Sequence, residues 1–126
     1  MIPAALENQI TVGNASNVNA KVVAEAANGP VTPEADEILS KKGIFQFPDF
    51  LCNAGGVTVS YFEWVQNNCG YYWTEKEVYE KLDKKMSKAF YDVYEMAKKE
   101  SVDNRTAAYM VAVSKVAEAV KLRGWV

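Results

Sequence analysis

A chain of 126 residues, 49% hydrophobic and 24% charged, has the size and composition of one folded domain and is too apolar and aromatic to stay disordered. Fourteen basic against sixteen acidic side chains leave no cationic excess to drive binding to a phosphate backbone, which excludes nucleic acid as an expected partner. The absence of histidine excludes Ser-His-Asp and Cys-His nucleophile systems, His-bearing zinc sites and histidine acid–base work.

Met1-Ile2-Pro3-Ala4-Ala5 reads as the tail of a buried strand, followed by a short helical turn over residues 5–10. Residues 14–19 are an Asn-rich connection, and residues 21–27 form an apolar run suited to a buried parallel strand. Asn28-Gly29-Pro30 closes it as a turn. Thr32 is placed to cap a helix over 33–42, with Pro33 at its first position, Glu34 and Asp36 near its positive end, Lys41 and Lys42 in its last turn and Gly43 just past it. Ile44-Phe45-Gln46-Phe47 is a second strand, ended by Pro48. Strand, helix and strand with short links predict half of a doubly wound parallel sheet, whose ligands lie at the carboxyl ends of the strands. Those ends are Asn28-Gly29-Pro30 and residues 48–53.

Residues 44–73 hold nine of the fifteen aromatics but only two charged side chains, Asp49 and Glu63, so this stretch is expected to be covered. Within it, Asn53-Ala54-Gly55-Gly56 opens a helix, with Asn53 as its expected cap. Each glycine costs such a helix about 1 kcal/mol relative to alanine, which either tight packing or close approach of a ligand to the first turn must offset. Asn53, Val57 and Ser60 then share one face. A helix packed on a neighbour, with Ser60 bonded to its own backbone, accounts for the same pattern without a ligand. Thr74-Glu75-Lys76-Glu77 is a capping box for a long amphipathic helix whose apolar positions recur from Val78 to Ala97. Its Lys81, Lys84, Lys85 and Lys88 interleave with Glu77, Glu80 and Asp83, which reads as a solvated face. Asp103 caps a last, Ala-rich helix running to Gly124. The prediction is a helix-rich α/β chain: an incomplete doubly wound, Rossmann-like parallel sheet followed by long packed helices.

Cys52 and Cys69, without a C-x-x-C motif, fit a reduced intracellular protein. No apolar stretch is long enough to span a membrane and no signal peptide is recognisable, so a cytoplasmic protein without membrane partners is expected.

The string Pro48-Asp49-Phe50-Leu51-Cys52-Asn53-Ala54-Gly55-Gly56-Val57-Thr58-Val59-Ser60-Tyr61-Phe62-Glu63-Trp64 resembles the signature of hexameric prokaryotic glutamate dehydrogenases. Pro3-Ala4-Ala5-Leu6-Glu7, the run Ala27-Asn28-Gly29-Pro30-Val31-Thr32-Pro33-Glu34-Ala35-Asp36 and the ending Arg123-Gly124-Trp125 are similar to the C-terminal third of that family in order and spacing. The resemblance implies that Ser60 hydrogen-bonds the side-chain carboxylate of the substrate and that Val57 lines the pocket around its methylene groups. It also implies that Ala4, Asn28 and Asn53 lie near the nicotinamide and ribose of NAD or NADP. Ala26 stands where many members have glycine, and Cys52 where many have alanine or serine; both are small, and an apolar setting for Cys52 raises its thiol pKa.

No G-x-G-x-x-G follows a strand anywhere in the sequence, and the catalytic lysine and aspartate of the family belong to an N-terminal domain that these residues do not match. The chain therefore reads as a C-terminal fragment beginning at an internal methionine: residues 1–53 as the second half of the dinucleotide-binding domain, and 54–126 as a helical region returning toward the substrate domain. In the complete protein it is expected to help convert L-glutamate to 2-oxoglutarate and ammonia. The chain alone is expected to be inactive, and to pair with the missing N-terminal domain or with itself. The alternative is a non-catalytic packing or protein-interaction module that uses the apolar 44–73 region.

Overall fold

Val22–Ala24 and Phe45–Phe47, β1 and β2, lie parallel in the register Val22 with Phe45, Val23 with Gln46 and Ala24 with Phe47. The computed structural model describes residues 1–124; Trp125, quoted in the resemblance, lies outside the described residues. The connection between the strands is helix α1, Pro33–Lys41. It starts where the sequence places it: the Thr32 hydroxyl accepts from the Ala35 N–H, Pro33 needs no acceptor at the first position, and Glu34 and Asp36 face the positive end. Past its end, Gly43 adopts φ +72°, a left-handed conformation that glycine reaches without strain.

Alternation along β2 sorts its two faces. Gln46 points to α1, donating to the Asp36 carbonyl and the Ser40 hydroxyl. Phe45 and Phe47 point the other way, where their rings meet Tyr94 and Phe90. Those aromatics belong to helix α4, Glu75–Glu100, so the sheet lies between α1 and α4. On the α1 side, Ile10, Ala15, Val23, Val31, Ala35, Leu39 and Ile44 form one buried cluster. The outer edge of β2 is closed by Asn104, whose side-chain amide donates to the Gln46 carbonyl at 2.8 Å.

Residues 1–3 run beside β1 on the side away from β2. The Met1 amine donates to the Val22 carbonyl, Ala24 N–H to Met1 O, and Ala26 and Ala27 N–H both to Pro3 O. The buried strand tail expected over residues 1–5 is corrected: the segment bonds along β1 without forming a strand, and Met1 and Ile2 are exposed. The helical turn expected over 5–10 does not form. Asn8 has φ +54°, Asn8 N–H donates to Gly29 O, and Gln9 and Ile10 N–H to Pro30 O, so the donors a helix would use are held by the 28–30 turn. Ile10 instead enters the core and bridges Val31. The predicted strand 21–27 is shortened to three residues because after the Glu25 N–H, given to Phe47 O, the next two amides turn to Pro3.

After β2, a short helix α2, Asp49–Cys52, precedes α3, Ala54–Cys69. Helix α3 ends at Gly70 (φ +66°), and the buried Gln66 accepts from Trp73 N–H at 2.7 Å, drawing the next segment back across it. The capping box of α4 is complete, with Thr74 and Glu77 satisfying each other's backbone N–H groups. Ser101 reverses the chain into α5, Asn104–Leu122, capped by Asp103 on the Thr106 N–H. Helices α4 and α5 pack through Val93, Ala97, Ala107 and Ala108 with Leu51 of α2, where the alanines allow close approach of the two axes. Among the described residues no helix is long and apolar enough to cross a membrane.

Candidate functional site

The carboxyl ends of β1 and β2 lead into residues 25–30 and 48–53, and a set of hydrogen bonds locks these two segments together. The Asn53 side chain donates to Asn28 Oδ1 at 2.7 Å. Gly29 N–H donates to Asp49 Oδ2 at 2.8 Å, and Asn53 N–H donates to the Asp49 carbonyl at 2.9 Å. Asp49 therefore holds the residue after Asn28 through its side chain and Asn53 through its backbone. The expected cap role of Asn53 is corrected here: its side chain makes no bond to the first turn of α3, because it is committed across the gap to Asn28. The pairing uses one donor of Asn53 and one acceptor of Asn28, and each side chain keeps its other group, the NH2 of Asn28 and the carbonyl oxygen of Asn53. Ala4 follows Pro3, whose carbonyl accepts from the N–H groups of Ala26 and Ala27, the two residues before Asn28, so its segment runs beside the same strand end.

Helix α3 starts directly from Asn53, and its geometry puts Asn53, Val57 and Ser60 within about 60° of one another around the axis. Val57 is 70% exposed and Ser60 is exposed too. The self-contained alternative for Ser60 does not occur among the described residues: Thr58, not Ser60, returns its hydroxyl to the helix, donating to Ala54 O at 2.8 Å. A Cβ added to Gly55 or Gly56 would meet nothing within 4 Å, so packing inside this chain does not explain the paired glycines. The same face continues through exposed Tyr61 and Trp64, stacked on each other, so the 44–73 stretch presents an open apolar surface. A pocket of about 420 Å³, lined by Ala24, Phe47, Leu51, Cys52, Met86 and Phe90, opens beside the strand ends under α4.

Behind the two loops lies a buried charge cluster that the sequence reading missed. Arg105, in the first turn of α5, donates through Nε to Asp36 at 2.9 Å, through Nη1 to Asp49 at 3.2 Å and through Nη2 to Glu25. Glu25 is fully enclosed, and one of its oxygens and one of Asp36 lack a hydrogen-bond partner. Burial pushes the Glu25 carboxyl up to about 7; Arg105 opposes that rise, while Asp49 and Asp36 reinforce it. Burial also works against the charge on Arg105, but Glu25 and Asp36 hold it above its ordinary value. Burial, then Glu25, pushes up the half-buried Cys52 thiol, consistent with an unreactive cysteine; Cys52 and Cys69 are both free. The sequence signals for this cluster are a glutamate inside an apolar strand run and an aspartate inside a stretch almost without charge. Among the described residues no group of three or more His, Cys, Asp or Glu side chains is arranged to hold a metal ion.

Comparison with known proteins places this geometry in context. A family model described as glutamate/leucine/phenylalanine/valine dehydrogenase matches residues 1–124. The chain is 60% identical over 126 residues to the cryptic catabolic NAD-specific glutamate dehydrogenase GudB of Bacillus subtilis, covering 100% of this chain and 30% of that protein. It is 55% identical over 125 residues to an NAD-specific glutamate dehydrogenase of Staphylococcus aureus, covering 99% of this chain and again 30% of the relative. Among solved structures, glutamate dehydrogenase from Peptoniphilus asaccharolyticus superposes with a TM-score of 0.94 at 54% identity, over 99% of this chain and 32% of that one. The hetero-hexameric glutamate dehydrogenase from Thermus thermophilus, in a leucine-bound form, gives 0.92 at 34% identity, over 97% and 29%. The chain thus spans about 30% of the length of the curated relatives it matches.

Proposed function

Because the chain belongs to the glutamate/leucine/phenylalanine/valine dehydrogenase family, we propose that it supplies the nicotinamide-side wall and the substrate-carboxylate contact of an NAD-linked glutamate dehydrogenase. Residues 1–53 are the C-terminal half of its dinucleotide-binding domain, and 54–126 the helical region returning toward the substrate domain. The complete protein converts L-glutamate to 2-oxoglutarate and ammonia. NAD rather than NADP follows the names of the relatives at 60% and 55% identity.

The observation that carries the reading is the Asn28–Asn53 bridge at the strand ends, with Ser60 two helical turns further along the same face. The Asn28 NH2 and the Asn53 carbonyl, which the bridge does not use, have the donor and acceptor character that a carboxamide needs, so the chemistry of the pair fits the group it is proposed to hold. When bound, NAD supplies the hydride acceptor. The residues of this chain bind and orient: Asn28 and Asn53, with the Ala4 loop beside them, fix the plane of the nicotinamide. The open first turn at Gly55 and Gly56 lets a ligand reach the free N–H groups of α3. Val57 lies along the substrate methylenes, and Ser60 donates its hydroxyl hydrogen to the distal carboxylate. The acid–base groups are assigned to the remaining two thirds of the protein, and the exposed Tyr61–Trp64 face is assigned to its contact with that part or with another copy.

The test is Ser60→Ala in the complete enzyme. Removing one hydrogen bond to a carboxylate costs roughly 1.5–3 kcal/mol, so kcat/KM for glutamate should fall about tenfold to a hundredfold while KM for NAD changes little. An unchanged kcat/KM for glutamate overturns the assignment of Ser60.

A further inference from the structure

We infer that Arg105 is a positioning residue for the cofactor side of the site, acting from α5 through Asp49 on Gly29 and so on the Asn28–Asn53 pair. The inference rests on the reading of that pair given above. Its geometric basis is a continuous chain of contacts. Arg105 Nη1 donates to Asp49 Oδ1 at 3.2 Å, Asp49 Oδ2 accepts from Gly29 N–H at 2.8 Å, and Asn28, joined directly to Gly29, accepts from Asn53 at 2.7 Å. The Asp49 carbonyl, accepting from Asn53 N–H, closes the loop. Asp49 is thus fixed simultaneously to the turn after β1, through Gly29, and to α5, through Arg105. The other two arms of the guanidinium, on Asp36 of α1 and Glu25 at the end of β1, hold the arginine itself in place. Three elements and two strand ends are referenced to one planar fork, a geometry that a lysine ammonium cannot reproduce because its donors radiate from a single atom.

Without Arg105, Glu25, Asp36 and Asp49 face one another with no cation between them, and the Asp49 carboxylate has no reason to keep the rotamer that holds Gly29. Misplacing a binding group by a fraction of an ångström is enough to cost an order of magnitude in a reaction that depends on orientation. The expected consequence is confined to the cofactor. The KM for NAD should rise while KM for glutamate, set two helical turns further along α3 at Val57 and Ser60, does not follow.

The experiment uses the complete enzyme carrying this segment, with Arg105→Lys, Arg105→Gln, Asp49→Asn and Asn28→Ala, alone and with Asn28→Ala combined with each of the others. Asparagine at 49 has a single acceptor oxygen, so it must release either Gly29 or Arg105; it keeps the test open if the arginine variants do not fold. Each Arg105 or Asp49 variant is expected to raise KM for NAD about tenfold with KM for glutamate within about twofold. The effect should largely disappear in the Asn28→Ala background, because both changes then act on the same contact. A purely structural role would lower thermal stability and leave KM for NAD unchanged, or would give additive effects with Asn28→Ala; either result overturns the inference. If Asn28→Ala itself leaves KM for NAD unaltered, the cofactor reading of the asparagine pair fails, and the inference falls with it for that separate reason.

Discussion

Glu25 shows how one side chain couples the fold to pH. It is enclosed at the end of β1 against Arg105, and burial raises its carboxyl from 4.5 to about 7. The folded protein therefore binds a proton at Glu25 that the unfolded chain has already lost over this interval, which makes stability fall as pH rises. The contribution is complete below the unfolded value of 4.5 and is lost as pH passes through about 7. The other carboxyls with resolved shifts work in the opposite sense and elsewhere. Hydrogen bonds hold Glu77 (from Thr74) and Asp92 (from Lys88) low, while Asp103, despite burial that pushes it up, is held low by its cap bonds to Thr106; their stabilisation is lost only as pH falls below their ordinary values. Urea denaturation of the 126-residue chain should therefore give an unfolding free energy about 2 kcal/mol lower at pH 8 than at pH 5.5. Glu25→Gln should flatten that difference, since glutamine fills the same site without titrating. An equally steep pH dependence in the glutamine variant would assign the slope to another group.

At the level of elements, those with local signals were legible in the sequence and those set by distant partners were not. Thr32, Thr74 and Asp103 each accept from an N–H three residues on, in the same short stretch of chain, so α1, α4 and α5 start where their caps predict. Residues 5–10 carry the same local suggestion of a turn of helix but lose it to Gly29 and Pro30, twenty residues away, which sequence periodicity cannot register. Asn53 fails as a cap for the same reason, and Arg105 reaches partners 56 to 80 residues upstream. The site itself was half legible: the spacing of Asn53, Val57 and Ser60 gave the shared face, but not the Asn28 bridge or Asp49 behind it. On the proposed reading, the paired glycines make α3 the element where stability and function pull apart. Gly56 is exposed, has helical backbone and leaves room for a methyl group. Gly56→Ala should stabilise the isolated chain by about 0.5 kcal/mol, the helix-propensity gain expected near an end. In the complete enzyme the same methyl group should raise KM for NAD or glutamate severalfold by standing where the ligand approaches. A variant that gains stability and keeps both KM values would show that the glycines serve packing against another part of the protein.

For the molecule as a whole, binding and chemistry separate. The described residues gather the groups proposed to orient a ligand, namely two amides, a hydroxyl, a valine and an open helix start, but none suited to moving a proton at neutral pH. Glu25, whose carboxyl burial raises toward that range, is fully enclosed and bonded to Arg105. A lysine becomes a useful base near pH 7 when an apolar pocket lowers its pKa. The lysines with resolved shifts go the other way: Tyr94 holds Lys98 above its ordinary value, and Glu100 does the same for Lys99, both on solvent-facing turns of α4. The relatives are about three times as long as this chain, leaving ample sequence to carry the missing groups. The purified 126-residue chain should therefore show no glutamate-dependent reduction of NAD or NADP, even at protein concentrations far above those used for a complete dehydrogenase. Measurement is direct, by following reduced nicotinamide in the presence and absence of glutamate. Sustained turnover that tracks with the chain through purification, and that is lost in Ser60→Ala, would show that the residues gathered here are sufficient for the chemistry as well as for binding.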